Sequence, residues 1–443
     1  MGKYFRFGVS PAILLGIATF LFVCQPAIAQ TDPDALQKLL QRVDQLEKRL
    51  ADTEAKLAQA EKTVAELPAV KPDAKAPSVF AAVAKSRIEF YGYAKLDMAY
   101  DTGRVFPGNF ALYVQPMPSN DRNTSQYNMT ANQSRLGMNF TAMDTGDKKL
   151  TGKVEIDFYG GGAADNKANP MMRHAYMQLE WPKYDFAILA GQTSDLISPL
   201  VEPTVQYTVG WDQGDIGYRR AQLRLTKGWK MTDTAKFTWA FGFFRTIGHT
   251  SLDGGNTGAE SGIPTFQTRF GFAFAGAAGR QVNLGISGHY GRENFISPVK
   301  GGADVRFPTY SYNFDASVPL SEKWTLQAEG YAGRDLDTFF GGSNQAYDLK
   351  NAIGTLSKGG WVALSYAFSP KLAFNLGGGA DNPRYSDLEK GSRGNNSDYF
   401  INSWYNLTKQ ALVGFELSYL STSYVEKPTV HATRAQLTFQ YNF

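Results

Sequence analysis

Residues 434–443 read RAQLTFQYNF, and taken alternately they separate into two sets. Ala435, Leu437, Phe439, Tyr441 and Phe443 are apolar or aromatic, whereas Arg434, Gln436, Thr438, Gln440 and Asn442 carry hydrogen-bonding groups. Successive side chains of a β-strand point to opposite faces, so the stretch predicts a strand with one oily surface and one wet one. The same period of two recurs upstream. In KLTGKVEIDF (149–158) Leu150, Val154, Ile156 and Phe158 oppose Lys153, Glu155 and Asp157; in PTFQTRFGFAF (264–274) four phenylalanines oppose Gln267 and Arg269. Sixteen such runs of about ten residues follow one another from Ile88 to Phe443.

The chain has 443 residues, 14% aromatics, 44 Gly and one Cys, and its mean hydropathy is slightly negative. Beyond the first 29 residues no segment runs 18 apolar residues, which excludes a bundle of membrane helices. Short links (DTGDK, PK, AGAAG, PLSE, SPK) alternate with long ones near 102–130, 193–215, 247–263, 292–308, 334–358 and 381–396. Outer-membrane barrels combine short periplasmic turns with long external loops, and an even strand number returns both ends to the periplasmic side. A soluble all-β protein alternates too, but these apolar faces are too many for one soluble core. Aromatics also gather at strand ends, as with Trp181, Tyr184, Tyr441 and Phe443. The expected fold is therefore an all-β transmembrane barrel of 16 antiparallel strands, residues 88–443, preceded by a short N-terminal α-helical coiled coil.

Lys3 and Arg6 precede an apolar run from Ala12 to Val23, and small residues at 27–29 suit cleavage, so residues 1–29 read as a secretory signal peptide. The run is too short for a membrane anchor, and the bulky Phe22 and Val23 argue against lipidation of Cys24. Within 30–67 a heptad places Leu36, Val43, Leu50, Leu57 and Val64 at a, and Leu39, Leu46, Thr53, Ala60 and Leu67 at d. Arg42/Glu47, Arg49/Glu54 and Lys56/Glu61 stand at g and the following e, as in a parallel coiled coil, although a single amphipathic helix fits the pattern as well. Residues 68–87, rich in Pro and Ala, predict an extended linker.

At this point the sequence resembles a known family. A signal peptide, a short coiled coil, a proline-rich spacer, IEFYGYAKLDMAYD (88–101) as first strand, NQSRLGMNF (132–140) as second and a final Phe are similar to the DcaP-like outer-membrane porins. The SRLG element also resembles the phosphate-selective porins. The DcaP-like resemblance implies a homotrimer of 16-stranded barrels that takes up small dicarboxylates and similar anions.

Parity assigns the wet faces. Arg220 and Arg224 share the inner face of one strand, about 13 Å apart, and Arg269, Arg135, Arg434, Lys153 and His174 point inward by the same rule. Inward acids are Asp97, Glu155, Asp157, Glu180, Asp315, Glu329 and Glu416. The third external link, TSDLISPLVEPTVQYTVGWDQGD (193–215), is too apolar to extend freely into water, and we expect it to fold into the lumen with Asp195, Glu202 and Asp212 as its charged members. Packing on a neighbouring barrel is the alternative. A wall with Arg220 and Arg224 opposite an acidic loop would orient small anions, since a guanidinium binds a carboxylate through two parallel hydrogen bonds; the alternative is that these arginines pair with strand acids such as Glu180.

Passive diffusion of small anions, dicarboxylates above all, is thus the expected function. A phosphate or sugar porin stands as the alternative, and a barrel-embedded lipid hydrolase using Ser287 and His289 as a weaker one. No cofactor is expected, and the scattered histidines (His174, His249, His289, His431) form no metal-ligand pattern. Removing Lys3 and Arg6 changes 45 basic against 41 acidic residues to 43 against 41, a net charge of +2 that points away from nucleic acid. Expected partners are other copies of the chain, outer-membrane lipid and lipopolysaccharide, peptidoglycan through the coiled coil, and small anionic solutes.

Overall fold

The computed structural model describes Lys48 and residues 86–443, apart from 117–123, 143–145, 161–167, 249–257, 277–278, 296–303, 346 and 349–352. The expected signal peptide, all of the coiled coil but Lys48, and all of the linker but Ser86 and Arg87 lie outside the described residues. The barrel strands are β1 (Ser86–Asp101), β2 (in two segments, Gln126–Thr130 and Arg135–Ala142), β3 (Lys149–Asp157), β4 (Met171–Trp181), β5 (Phe186–Ser194), β6 (Arg219–Lys230), β7 (Ala235–Phe244) and β8 (Thr265–Ala275). They continue as β9 (Gln281–Phe295), β10 (Val305–Pro319), β11 (Trp324–Arg334), β12 (Leu356–Ser369), β13 (Leu372–Pro383), β14 (Arg393–Asn406), β15 (Ala411–Tyr424) and β16 (Lys427–Asn442).

Each strand pairs antiparallel with its sequence neighbour, and β16 returns to β1 from Tyr93↔Asn442 to Asp101↔Arg434. The backbone amides of Gly92 and Phe443 donate to each other's carbonyls at 3.2 and 3.1 Å. The cylinder is closed, so the described strands leave no open sheet edge to lipid. Burial runs opposite to that of a soluble protein. On β16 Phe439 and Tyr441 are 43% and 51% exposed outward, while Arg434 and Gln436 are 0% and 1% exposed inward. Tyr100, Tyr127, Tyr290, Tyr312 and Tyr399 lie exposed towards the long-loop end, and Trp229, Trp324, Tyr405 and Phe443 towards the short-turn end, the two aromatic belts of a transmembrane barrel.

The described parts of three long loops turn inward: L1 (102–116 and 124–125), L3 (195–218) and L6 (335–345, 347–348 and 353–355). Val105, Ala111 and Val114 of L1 pack on Leu420, Tyr424, Val430 and Ala432 of the β15–β16 wall. Lumen-facing residues therefore change from polar to apolar where a loop covers them. From L3, Ile197 and Ile216 pack with Tyr331 of β11 and Leu336 and Phe339 of L6. Tyr207 and Trp211 join Leu112 and Tyr159, and Leu200 lies against Trp361, Ala363 and Phe400. These apolar contacts hold L3 on the inner wall, and Trp211 stacks on Phe340 with centroids 4.3 Å apart.

Candidate functional site: a lumen passage between L3 and the β1–β6 wall

The seat of L3 is made by the carboxylates of the far wall. Glu416 on β15 accepts from the Val205 amide at 2.6 Å, and Glu329 on β11 from the Leu200 amide at 2.8 Å and the Ser198 hydroxyl. Asn402 on β14 donates to the Pro203 carbonyl at 2.8 Å, and Asp381 on β13 accepts from the Ser343 amide of L6 at 2.5 Å. Acids on this arc thus satisfy loop amides that would otherwise be buried without partners. Gly214 has φ +125°, and a Cβ there would collide with the Gly360 carbonyl on β12; only glycine lets the loop lie this close to the wall. On the near side the Lys95 ammonium donates to the Val205 carbonyl at 2.8 Å.

The opposite arc is basic. Here β4 carries a β-bulge: Glu155 pairs with His174 and Ile156 with Met172, leaving Arg173 extra. A bulge re-aims a side chain, and Arg173 and His174 consequently both face the lumen. Arg173 reaches Glu155 at 2.9 Å and Asp157 at 2.6 Å. Arg135, Lys153 and His174 approach Glu155 at 3.5, 3.5 and 3.7 Å, and the Tyr91 hydroxyl donates to it at 2.7 Å. Arg219, 8% exposed, lies over the rings of Tyr218 and Trp211 at 5.2 and 5.6 Å; among the described residues no carboxylate lies within ion-pairing distance of it. Three cations (Arg135, Lys153, Arg173) thus gather on two carboxylates, and Arg219 stands as a fourth cation without one. Arg135, Arg173, His174 and Arg219 line a cavity of about 420 Å³ whose other side is L3.

The residues expected from parity divide into two groups. Arg135, Lys153 and His174 stand on this basic arc. Arg220 does not line the cavity: it pairs with Asp195 at 3.1 Å, donates to the Thr338 carbonyl at 2.6 Å and lies 3.6 Å from the Phe339 ring centroid, joining L3 to L6. Arg269 is held by Asp315 through two bonds, at 3.0 and 2.5 Å. Arg434 is paired with Asp101 at 3.0 Å and donates to the Gly108 and Asn109 carbonyls of L1. Arg224 donates to the carbonyl of Ser194, a lining residue, at 2.5 Å and does not itself line the cavity.

The loop acids are turned from the cavity. Asp195 accepts from Arg220 and Gln267; Glu202 and Asp212 are 1% and 0% exposed. Burial pushes the Glu202 carboxyl well above its usual range, and the neighbouring Asp398, Asp215, Glu416 and Glu329 push it further. Burial and then Asp381 do the same to Asp212. The L3 acid that does line the cavity is Asp215; burial and the neighbouring Glu329 raise its carboxyl above the usual range, and it accepts from the Ser198 hydroxyl at 3.0 Å.

Two residues escaped the parity rule, Arg173 and Arg219. The signal for the first was present: Met172 and Met177 both face out, an odd separation that one strand permits only across a bulge. Arg219 opens β6 two residues after Gly217, whose φ of +116° breaks the alternation. Ser287 and His289, the pair considered for hydrolysis, do not meet: Ser287 donates to the Ile197 carbonyl at 3.1 Å, and both His289 ring nitrogens bond hydroxyls of Ser311 and Thr309.

Residues 28–225 match the family model described as DcaP outer membrane protein. Among solved structures, the outer membrane channel DcaP of Acinetobacter baumannii aligns with a TM-score of 0.65 at 19% identity, covering 81% of this chain and 98% of that one. An anion-selective porin from Comamonas acidovorans gives 0.52 at 12% identity, covering 81% and 100%. The trimer form of in-vitro folded OmpT of Vibrio cholerae gives 0.50 at 10%, covering 81% and 99%. No curated protein sequence matches the chain. At such identities the solved structures speak for the barrel fold, and the match over residues 28–225 makes this part of the chain similar to the DcaP outer-membrane proteins.

Proposed function

We propose that the protein conducts small anionic solutes passively across the outer membrane, dicarboxylates among them. The observation that carries this is the asymmetry of the lumen. Acids on the β11–β15 arc are engaged by L3 and L6 amides, whereas the cavity is bordered by Arg135, Arg173 and Arg219. Fixed cations beside a narrow aqueous path lower the energy of an anion there and raise that of a cation. The dicarboxylate preference rests on the family resemblance, and the anion-selective porin of similar fold supports the sign of the selectivity. A trimer is supported by the trimeric OmpT structure. In the same reading the outer wall meets lipid and lipopolysaccharide, and the heptads of 30–67 lie in the periplasm, where they join copies of the chain or touch peptidoglycan. Reversal potentials across a planar bilayer in a KCl gradient, with and without succinate, test the proposal. Anion preference and block by succinate are expected; cation preference would overturn it.

A further inference from the structure

The wall facing the arginines specifies the anion further. With Glu202 and Asp212 turned away, L3 presents Leu200, Val201, Val209 and Trp211 to the cavity, with Ser198 and Asp215 beside them. Val201 is 59% exposed there, an apolar side chain left uncovered in a polar lumen. Across from it Arg219 has a terminal nitrogen, Nη2, that is buried with no acceptor. Leaving a buried charged donor unsatisfied is costly, and a bound carboxylate would satisfy it. The cavity therefore has arginines on one side and a largely apolar L3 face on the other, where the one acid, Asp215, is held by the Ser198 hydroxyl at 3.0 Å, unlike a wall of bases facing a wall of acids.

We propose that the passage selects organic carboxylates carrying a hydrocarbon body over compact dianions, with the carboxylate at Arg219 and Arg173 and the hydrocarbon against Val201, Val209 and Trp211. The inference rests on the anion reading above and deepens it. A transverse pair of acidic and basic walls would align a solute by its dipole; here the alignment comes from amphiphilicity. Full burial of a CH₂ strengthens binding about fourfold, and contact on one side only, as in an open cavity, is worth roughly the square root of that, about twofold per CH₂.

The test uses the mature chain in planar bilayers and reads the half-blocking concentration of chloride current for acetate, butyrate, hexanoate and succinate. The expected result is a fall of about twofold per added CH₂, with hexanoate blocking at lower concentration than succinate. Val201→Asn should flatten the series, and Arg219→Gln should raise every half-blocking concentration. A flat series in the unmodified protein, or succinate as the tightest blocker, overturns the inference. If either occurs while the KCl reversal potential still reports anion preference, only this inference falls; cation preference would remove the anion reading beneath it.

Discussion

Arg219 and Arg220 are consecutive on β6, yet their surroundings assign them opposite consequences. Arg220 is a buried ion-pair partner of Asp195 and a donor to L6. Truncating one member of such a pair leaves the other charge buried alone, which costs about 3–5 kcal/mol. Arg220→Gln is therefore expected to lower the thermal transition and loosen L3 and L6, seen as heterogeneous single-channel current; a variant as stable and uniform as the parent would deny Arg220 this role. Arg219 has no such partner, so Arg219→Gln should leave the thermal transition nearly unchanged. A unit charge about 5 Å from an ion's path in a water-like medium contributes about 0.8 kcal/mol, of opposite sign for an anion and a cation and so about 1.6 kcal/mol between them; screening at 0.1 M salt leaves about 1 kcal/mol, so the anion-to-cation permeability ratio should fall roughly fivefold, with a smaller effect at 1 M. Parity alone placed Arg220 inward. It could not tell that Asp195 waits there, because that contact depends on the path of a loop.

The strands were legible because each is a local matter: lipid forces one face of every strand to be apolar, and the period of two records it. RAQLTFQYNF shows this, since its wet residues line the lumen and its oily ones do not. L3 was legible only in outline. Its apolar composition indicated insertion, but which side it would take depends on acceptors far away in sequence, such as Glu416 for the Val205 amide, 211 residues on. The expectation of an acidic loop face was reasonable from composition and is replaced by burial of Glu202 and Asp212. That burial has a pH consequence. The folded Glu202 carboxyl titrates above its usual value, so folded L3 binds its proton more tightly than an unseated L3 does. The stabilisation is fully present below the ordinary glutamate range near 4.5 and is lost as pH rises through the raised value. Limited proteolysis of L3 should accordingly be slower at pH 5 than at pH 8. Glu202→Gln, neutral at both, should reduce the difference while Asp212 and Asp215 retain their share; an unchanged pH dependence in the variant would exclude Glu202 as a contributor.

For the whole molecule the controlling feature is closure between β1 and β16, which makes outside and inside chemically distinct along every strand. A charge then has a different cost on each face. Leu417 on β15 points outward and is 43% exposed, paired with Ile401 and Ala435. An arginine near the middle of the lipid face costs about 2–4 kcal/mol, so Leu417→Arg should shift the folded-to-unfolded transition in urea, read by heat-modifiable gel mobility, to clearly lower denaturant. Thr141→Arg places the same side chain on the inner face of β2, opposite Thr151 of β3, where water is at hand. Its transition should move little. Equal losses in the two variants would mean that both faces meet the same medium, which a lipid-embedded, water-filled cylinder does not allow. The comparison isolates the face because the introduced group is identical and both sites lie within strands of one continuous ladder.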